Sequence, residues 1–269
     1  MRDITIGQYY ATESPIHSLD PRTKLVATIL YVALLFLVQN PLWYIPITLT
    51  VLLLYRTANI PIGYLFRGLK GIIILLCFTF FFRMTLTQGE VLVRFWIFEI
   101  TKEGILLAIR MTVRIALMIT GASLLSYTTT PRELADGLET GLAFMEKWGV
   151  PIHSMAIIVM IAFRFIPVMI EEMNILMDAQ AARGAEFTNC SVWKKCKNVC
   201  SLLMPLFFST LRRSTDLAMA MEARGYQEGA ETTRMYPLIY TATDKKAKVY
   251  MWSYCVGMAA LMLVTGILF

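Results

Sequence analysis

The sequence predicts an all-α integral membrane protein, with transmembrane helices and long amphipathic helices that form a cytoplasmic region. Three observations carry this expectation. Of 269 residues, 57% are hydrophobic and only 16% charged, with a mean hydropathy of +0.59; soluble domains carry about 25% charged residues. Residues 25–55 and 249–269 contain no Asp, Glu, Lys or Arg. Between them, two long segments repeat apolar residues at three- and four-residue steps, the spacing of a helix face. Each of these closes on Ala-Arg-Gly, at Ala182-Arg183-Gly184 and Ala223-Arg224-Gly225.

The chain divides into a cytoplasmic N-terminal segment (1–24), transmembrane helices (25–127), a cytoplasmic domain of amphipathic helices (128–248) and a C-terminal transmembrane helix (249–269). The polar N-terminus does not read as a cleavable signal peptide. Pro21 suits the first position of a helix. The uncharged run 25–55 would reach about 46 Å as one helix, too long for a core of about 30 Å. Gln39-Asn40-Pro41 breaks it, so spans over 25–38 and 41–55 are expected. Residues 71–82 and 104–127 supply further apolar runs, with a mixed stretch over 84–103.

Lysine and arginine set the orientation. Arg2, Arg22, Lys24, Arg56, Arg67 and Lys70 would fall on one side, together with 131–248. This places the N-terminus in the cytoplasm and the C-terminus outside a plasma membrane. The cations flank apolar runs rather than forming a stripe with stacking aromatics, so membrane lipid and not nucleic acid explains the net charge of +6.

In the polar region, Thr130-Pro131-Arg132-Glu133 has the signature of a capping box. Leu134, Leu138, Leu142 and Met145 continue it, and Gly149 and Pro151 end it. The next two helices should run over about 152–183 and 191–224, kinked at Pro167 and Pro205. Each ends with arginine on the last turn, opposite the negative end of the macrodipole, and a glycine able to turn left-handed. A guanidinium held there is either a dipole-compensating cap or a rigid fork for a partner's carboxylate. Met155, Met169 and Met173 lie on an apolar stripe that is either core or a surface able to re-pack against a partner.

Arg110 and Arg114 share a face of the helix expected at 104–127. They either snorkel or act within the membrane, and the second case allows an alternative: a membrane-embedded enzyme that holds an anionic lipid or phosphate. No catalytic set supports it. The phosphate-cradling loop G-x-x-x-x-G-K-[ST] is missing, as are zinc-protease and nucleophile-elbow motifs. His17 and His153 read as turn or surface residues, and Glu171-Glu172 as a solvated face. Cys190, Cys196 and Cys200 have no zinc spacing, so no metal site is expected. ATP-driven work would have to come from another subunit.

The chain resembles the transmembrane (T) component of energy-coupling factor transporters, the EcfT/CbiQ-like branch of ATP-binding cassette importers. The resemblance rests on Gly7-Gln8-Tyr9, on Ser14 through Leu25, on Thr128 through Leu134, on Arg164-Phe165-Ile166-Pro167 and on both Ala-Arg-Gly stretches. It implies a non-enzymatic subunit without cofactors, its ATP and magnesium bound by two partner ATPases. It also implies that Ala182-Arg183-Gly184 and Ala223-Arg224-Gly225 end coupling helices that dock on those ATPases. A membrane-embedded substrate-binding (S) component would then release a vitamin or other micronutrient inward, with Met155, Met169 and Met173 as candidate contacts to it.

Overall fold

The computed structural model describes residues 9–38, 40–87, 90–95, 98–185, 191–227 and 240–268. Its contacts divide the chain into two units, Met1–Leu138 with Leu238–Phe269, and Glu139–Pro237.

The first unit contains α1 (Pro21–Leu37), a 3-10 turn (Pro41–Trp43), α2 (Tyr44–Thr57), α3 (Ile62–Lys70), α4 (Ile73–Leu86), strands β1 (Val91–Phe95) and β2 (Phe98–Thr101), α5 (Lys102–Thr128), most of α6 (Pro131–Leu142) and, after the second unit, α9 (Ala242–Leu268). The second contains a 3-10 stretch (Ala143–Trp148), α7 (Ile152–Ala182) and α8 (Val192–Ala223). The all-α architecture holds. The mixed stretch expected at 84–103 includes one short antiparallel ribbon of β1 and β2.

α5 is the centre of the first unit. Leu117 from it meets Leu34, Leu35 and Val38 of the α1 end, Tyr44 and Ile47 of α2 and Met258 of α9. Nearer its C-terminus, Tyr127 joins Val51, Tyr55, Ala58 and Ile60. Tyrosine hydroxyls are anchored on helix carbonyls, half-buried Tyr31 on Leu117 and buried Tyr55 on Thr120, each at 2.9 Å. Gly121 lets α1 approach: a Cβ there would lie 2.8 Å from Cδ1 of Tyr31 and closer still to Cε1.

Polar contacts knot the helix ends of this unit. Asp20 caps α1 by accepting the Arg22 amide at 2.9 Å. Its own amide donates to Oδ1 of Asp244 at 2.8 Å. Oδ2 of Asp244 accepts the amide (2.9 Å) and hydroxyl (2.6 Å) of Thr241, so an anion sits at the start of α9. Burial alone would raise the Asp244 pKa, but these hydrogen bonds and the charge of Lys248 bring it below the usual value. Lys24 donates to the carbonyls of His17 and Thr128, each at 2.9 Å, which puts a cation on the last residue of α5.

Several expected boundaries move. α1 and α2, at 17 and 14 residues, cover the runs 25–38 and 41–55. Among the described residues, Pro41–Thr57 with Ile62–Lys70, bent by 119°, is long and apolar enough to cross as a pair. Among the described residues, two single helices are long and apolar enough to cross, α5 and α7. The second lies within 128–248, where the sequence predicts amphipathic helices. From Ile152 to Ile170, Arg164 is the one Lys, Arg, Asp or Glu, so that half of α7 is apolar around most of its circumference rather than along one stripe. Pro167 and Pro205 lie inside continuous helices and end neither. α9 starts at Ala242, before the run expected at 249–269.

Candidate functional site

The two Ala-Arg-Gly stretches form the same structure twice. α7 ends with Arg183 as its cap, followed by Gly184 at φ +90°. The Gly184 amide donates to the Ala181 carbonyl at 2.9 Å and the Ala185 amide to Gln180 at 3.0 Å. α8 ends with Arg224 as its cap, followed by Gly225 at φ +75°. There the Gly225 amide donates to Glu222 at 2.9 Å and the Tyr226 amide to Met221 at 3.0 Å. These paired bonds are the Schellman closure, which uses the carbonyls a helix end would otherwise leave open.

The arginines therefore stand one position beyond the expected last turn, at the cap itself. Their backbones match closely, φ −87° and ψ 7° against −90° and 6°. Both side chains are exposed, as are Ala182 and Ala223 before them and Gly184 and Gly225 after them. A Cβ at either glycine would meet nothing within 4 Å. Among the described residues neither guanidinium has a hydrogen-bond or ion-pair partner. The result is two equivalent planar cations on closed helix ends, each flanked by small residues that allow a partner to come close.

The capping box at the start of α6 forms as the sequence predicts. The Thr130 amide donates to Glu133 Oε2 at 3.1 Å and the Glu133 amide to the Thr130 hydroxyl at 3.3 Å. The histidines take structural partners. His17 Nδ1 lies 2.7 Å from the Ser14 hydroxyl and Nε2 lies 3.1 Å from the Tyr10 carbonyl. His153 Nδ1 lies 3.0 Å from Glu139 Oε1.

The methionine stripe is put to mixed use. Met155 is exposed, whereas Met169 and Met173 are half-buried, and the Met169 sulfur accepts the Thr210 hydroxyl of α8 at 3.3 Å. One part of the stripe is thus internal contact. Glu171 is exposed as expected, but Glu172 is not a solvated-face residue: it pairs with Arg213 of α8. That pairing is not among the sequence-based expectations; its members belong to different helices and carry opposite charges.

Arg114 is engaged internally. Its Nε donates to the Tyr44 hydroxyl at 3.1 Å and an Nη to the Val38 carbonyl at 2.6 Å, so it closes the end of α1 against α2. Arg110 is half-buried, and its Nε has no hydrogen-bond partner among the described residues. The two arginines do not form a joint anion fork, which removes the geometric basis of the enzyme alternative. No cluster of three metal-ligating side chains occurs among the described residues. Cys200 is a free, exposed thiol; Cys190 and the Cys196 side chain lie outside the described residues.

A family model described as cobalt transport protein (CbiQ) matches residues 12–236. Similar curated proteins are named energy-coupling factor transporter transmembrane protein EcfT. That of Acidaminococcus fermentans is 40% identical over 261 residues, covering 97% of each chain. That of Thermosediminibacter oceani is 38% identical over 257 residues, covering 96% of this chain and 97% of the relative. That of Bacillus subtilis is 37% identical over 245 residues, covering 91% and 92%.

Proposed function

We propose, from the premise that this chain belongs to the family of energy-coupling factor transporter transmembrane proteins, that it transmits the motion of partner ATPases to a substrate-binding component through its two arginine-capped helix ends. It is a transport subunit rather than an enzyme, and it is a membrane protein. The observation that carries the mechanism is the duplicated cap. Two identical closures present two exposed arginines, which suits two similar ATPase subunits, one for each end.

The chemistry follows from the cap. A guanidinium on a closed helix end is fixed at its base and offers two parallel N–H donors to a carboxylate. Ala182, Gly184, Ala223 and Gly225 keep its surroundings low, so the partner's groove can close around the arginine. Each ATPase would bind ATP and magnesium, and the chain itself would hold no cofactor. As the ATPases change their separation, the rigid helices would carry the displacement toward the membrane. There a membrane-embedded S component would meet the exposed apolar surface that includes Met155, and release a vitamin or other micronutrient inward. The apolar length of α7 needs cover, which that component and lipid would supply. The charge distribution supports a cytoplasmic N-terminus, cytoplasmic arginine ends and an external C-terminus, since Lys245, Lys246 and Lys248 precede the uncharged end of α9.

The test is the double charge reversal Arg183→Glu with Arg224→Glu, purified from membranes with its partners. The double variant should lose both ATPases and transport, and each single variant should be weakened. Retention of both ATPases with full transport by the double variant would refute the reading.

A further inference from the structure

Residues 41 apart meet one another where α7 and α8 touch. The Thr210 hydroxyl donates to Met169 at 3.3 Å (210 − 169 = 41). The Arg213 guanidinium holds Glu172 (213 − 172 = 41), with Nε at 3.1 Å and an Nη at 3.0 Å from Oε2. The same offset separates Arg183 from Arg224 (224 − 183 = 41). Residues that correspond under the repeat therefore touch each other. Both contacts keep the repeat offset, so α7 and α8 touch at equivalent points along their lengths.

Equal arms follow from this placement. Glu172 lies eleven residues before Arg183 (183 − 172), and Arg213 lies eleven before Arg224 (224 − 213). At 1.5 Å per residue each arm is about 16 Å long. The contact is also chemically complete: the Ser209 hydroxyl donates to Oε1 of Glu172 while Arg213 occupies Oε2. Corresponding positions carry opposite charges here, whereas a strict repeat would place like charges face to face and repel. The side chains are 20% and 44% exposed for Glu172 and Arg213, so the attraction is partly screened. Its value lies in fixed geometry: both carboxylate oxygens are occupied, and a slide of either helix by one turn would break every bond.

We propose that Glu172 is a positioning residue: with Ser209 and Arg213 it forms a pivot that holds the two arginine ends at equal reach and prevents α7 and α8 from sliding past each other. The inference rests on the docking role proposed for Arg183 and Arg224.

Spin labels at Ala179 and Ala220, both exposed and again 41 apart, report the relation of the two ends in a cysteine-free full-length chain. The parent chain should give one narrow distance distribution. Glu172→Gln should broaden it and lower transport per ATP hydrolysed, in the complete complex, roughly fivefold, the equivalent of one partly exposed ion pair. Both ATPases should still co-purify with that variant. Exchanging the pair, Glu172→Arg with Arg213→Glu, should restore a narrow distribution and coupled transport. Ser209→Ala, a milder change that leaves the ion pair, should give an intermediate width. A Glu172→Gln variant with parental distances and coupling would overturn the pivot, as would an exchanged pair no better than the single variant. If the parental chain binds no ATPase, the docking reading fails while the distances still decide the pivot.

Discussion

Replacing Gly184 or Gly225 by alanine separates the geometry of the caps from their charge. Both glycines are left-handed, at φ +90° and +75°. An added Cβ meets no atom within 4 Å at either site, so sterics with neighbours contribute nothing. The cost is then the intrinsic strain of an L-residue in that region, about 1–2 kcal/mol. About 1 kcal/mol raises the population of the opened cap roughly fivefold. The amides at 184 and 185 donate to Ala181 and Gln180, so hydrogen exchange at these two amides reads the opening directly. Gly184→Ala should exchange there about five- to thirtyfold faster than the parent. Asparagine tolerates the left-handed region, so Gly184→Asn should stay closer to parental. Retention of the ATPases should follow the same order, glycine above asparagine above alanine, although Arg183 is present throughout. Parental exchange and retention in the alanine variants would refute the argument, and so would an asparagine variant worse than alanine.

Two further outcomes test the first unit. Gly121→Ala forces a methyl group into the Tyr31 ring, and overpacking of this kind costs about 1–3 kcal/mol, so the thermal midpoint in detergent should fall; an unchanged midpoint would show that Tyr31 swings aside freely. Burial, and then the nearby charge of Lys24, holds His17 below its ordinary pKa against the opposing hydrogen bond to the Tyr10 carbonyl. The folded chain is then less protonated at His17 than the unfolded chain below about pH 6.5, so stability falls as pH drops from there toward the folded pKa. His17→Gln should flatten the thermal midpoint between about pH 7 and pH 5; a variant as steep as the parent would contradict this. The lowered pKa of Asp244 acts in the same direction at lower pH, where its stabilisation is lost as pH falls through the folded value.

Much of the helical layout was legible because it depends on local chemistry. The Thr130–Glu133 capping box, Pro21 at the start of α1, and glycine after each arginine are short-range signals whose bonds close within a few residues. The break at Gln39-Asn40-Pro41 was legible as well, because proline and its polar neighbours punctuate the run. The uncharged run 25–55 is divided at Pro41 into α1 and a second helical stretch, as expected. In α7 the methionines drew attention to one stripe, while the apolar character extends around most of the helix from Ile152 to Ile170. Pro167 and Pro205, expected as kinks within their helices, lie inside α7 and α8, which run on through them.

The site was half legible for a reason that also bears on its use. Arg183 and Arg224 repeat as like residues, so sequence alone exposes them. Glu172 and Arg213 occupy corresponding positions with opposite character, and a search for similarity passes over them. Contact between corresponding positions favours complementary side chains, whereas two equal ends call for like ones. The chain satisfies both demands with one offset: opposite charges where the repeats meet, identical arginines where they end. Arg114 shows the converse. Its intramembrane position suggested a ligand, but the unclosed carbonyl at Val38, at the end of α1, was invisible in sequence until α5 lay beside it. A cation within a span thus served the backbone, whereas the cations that stand free are those proposed to dock.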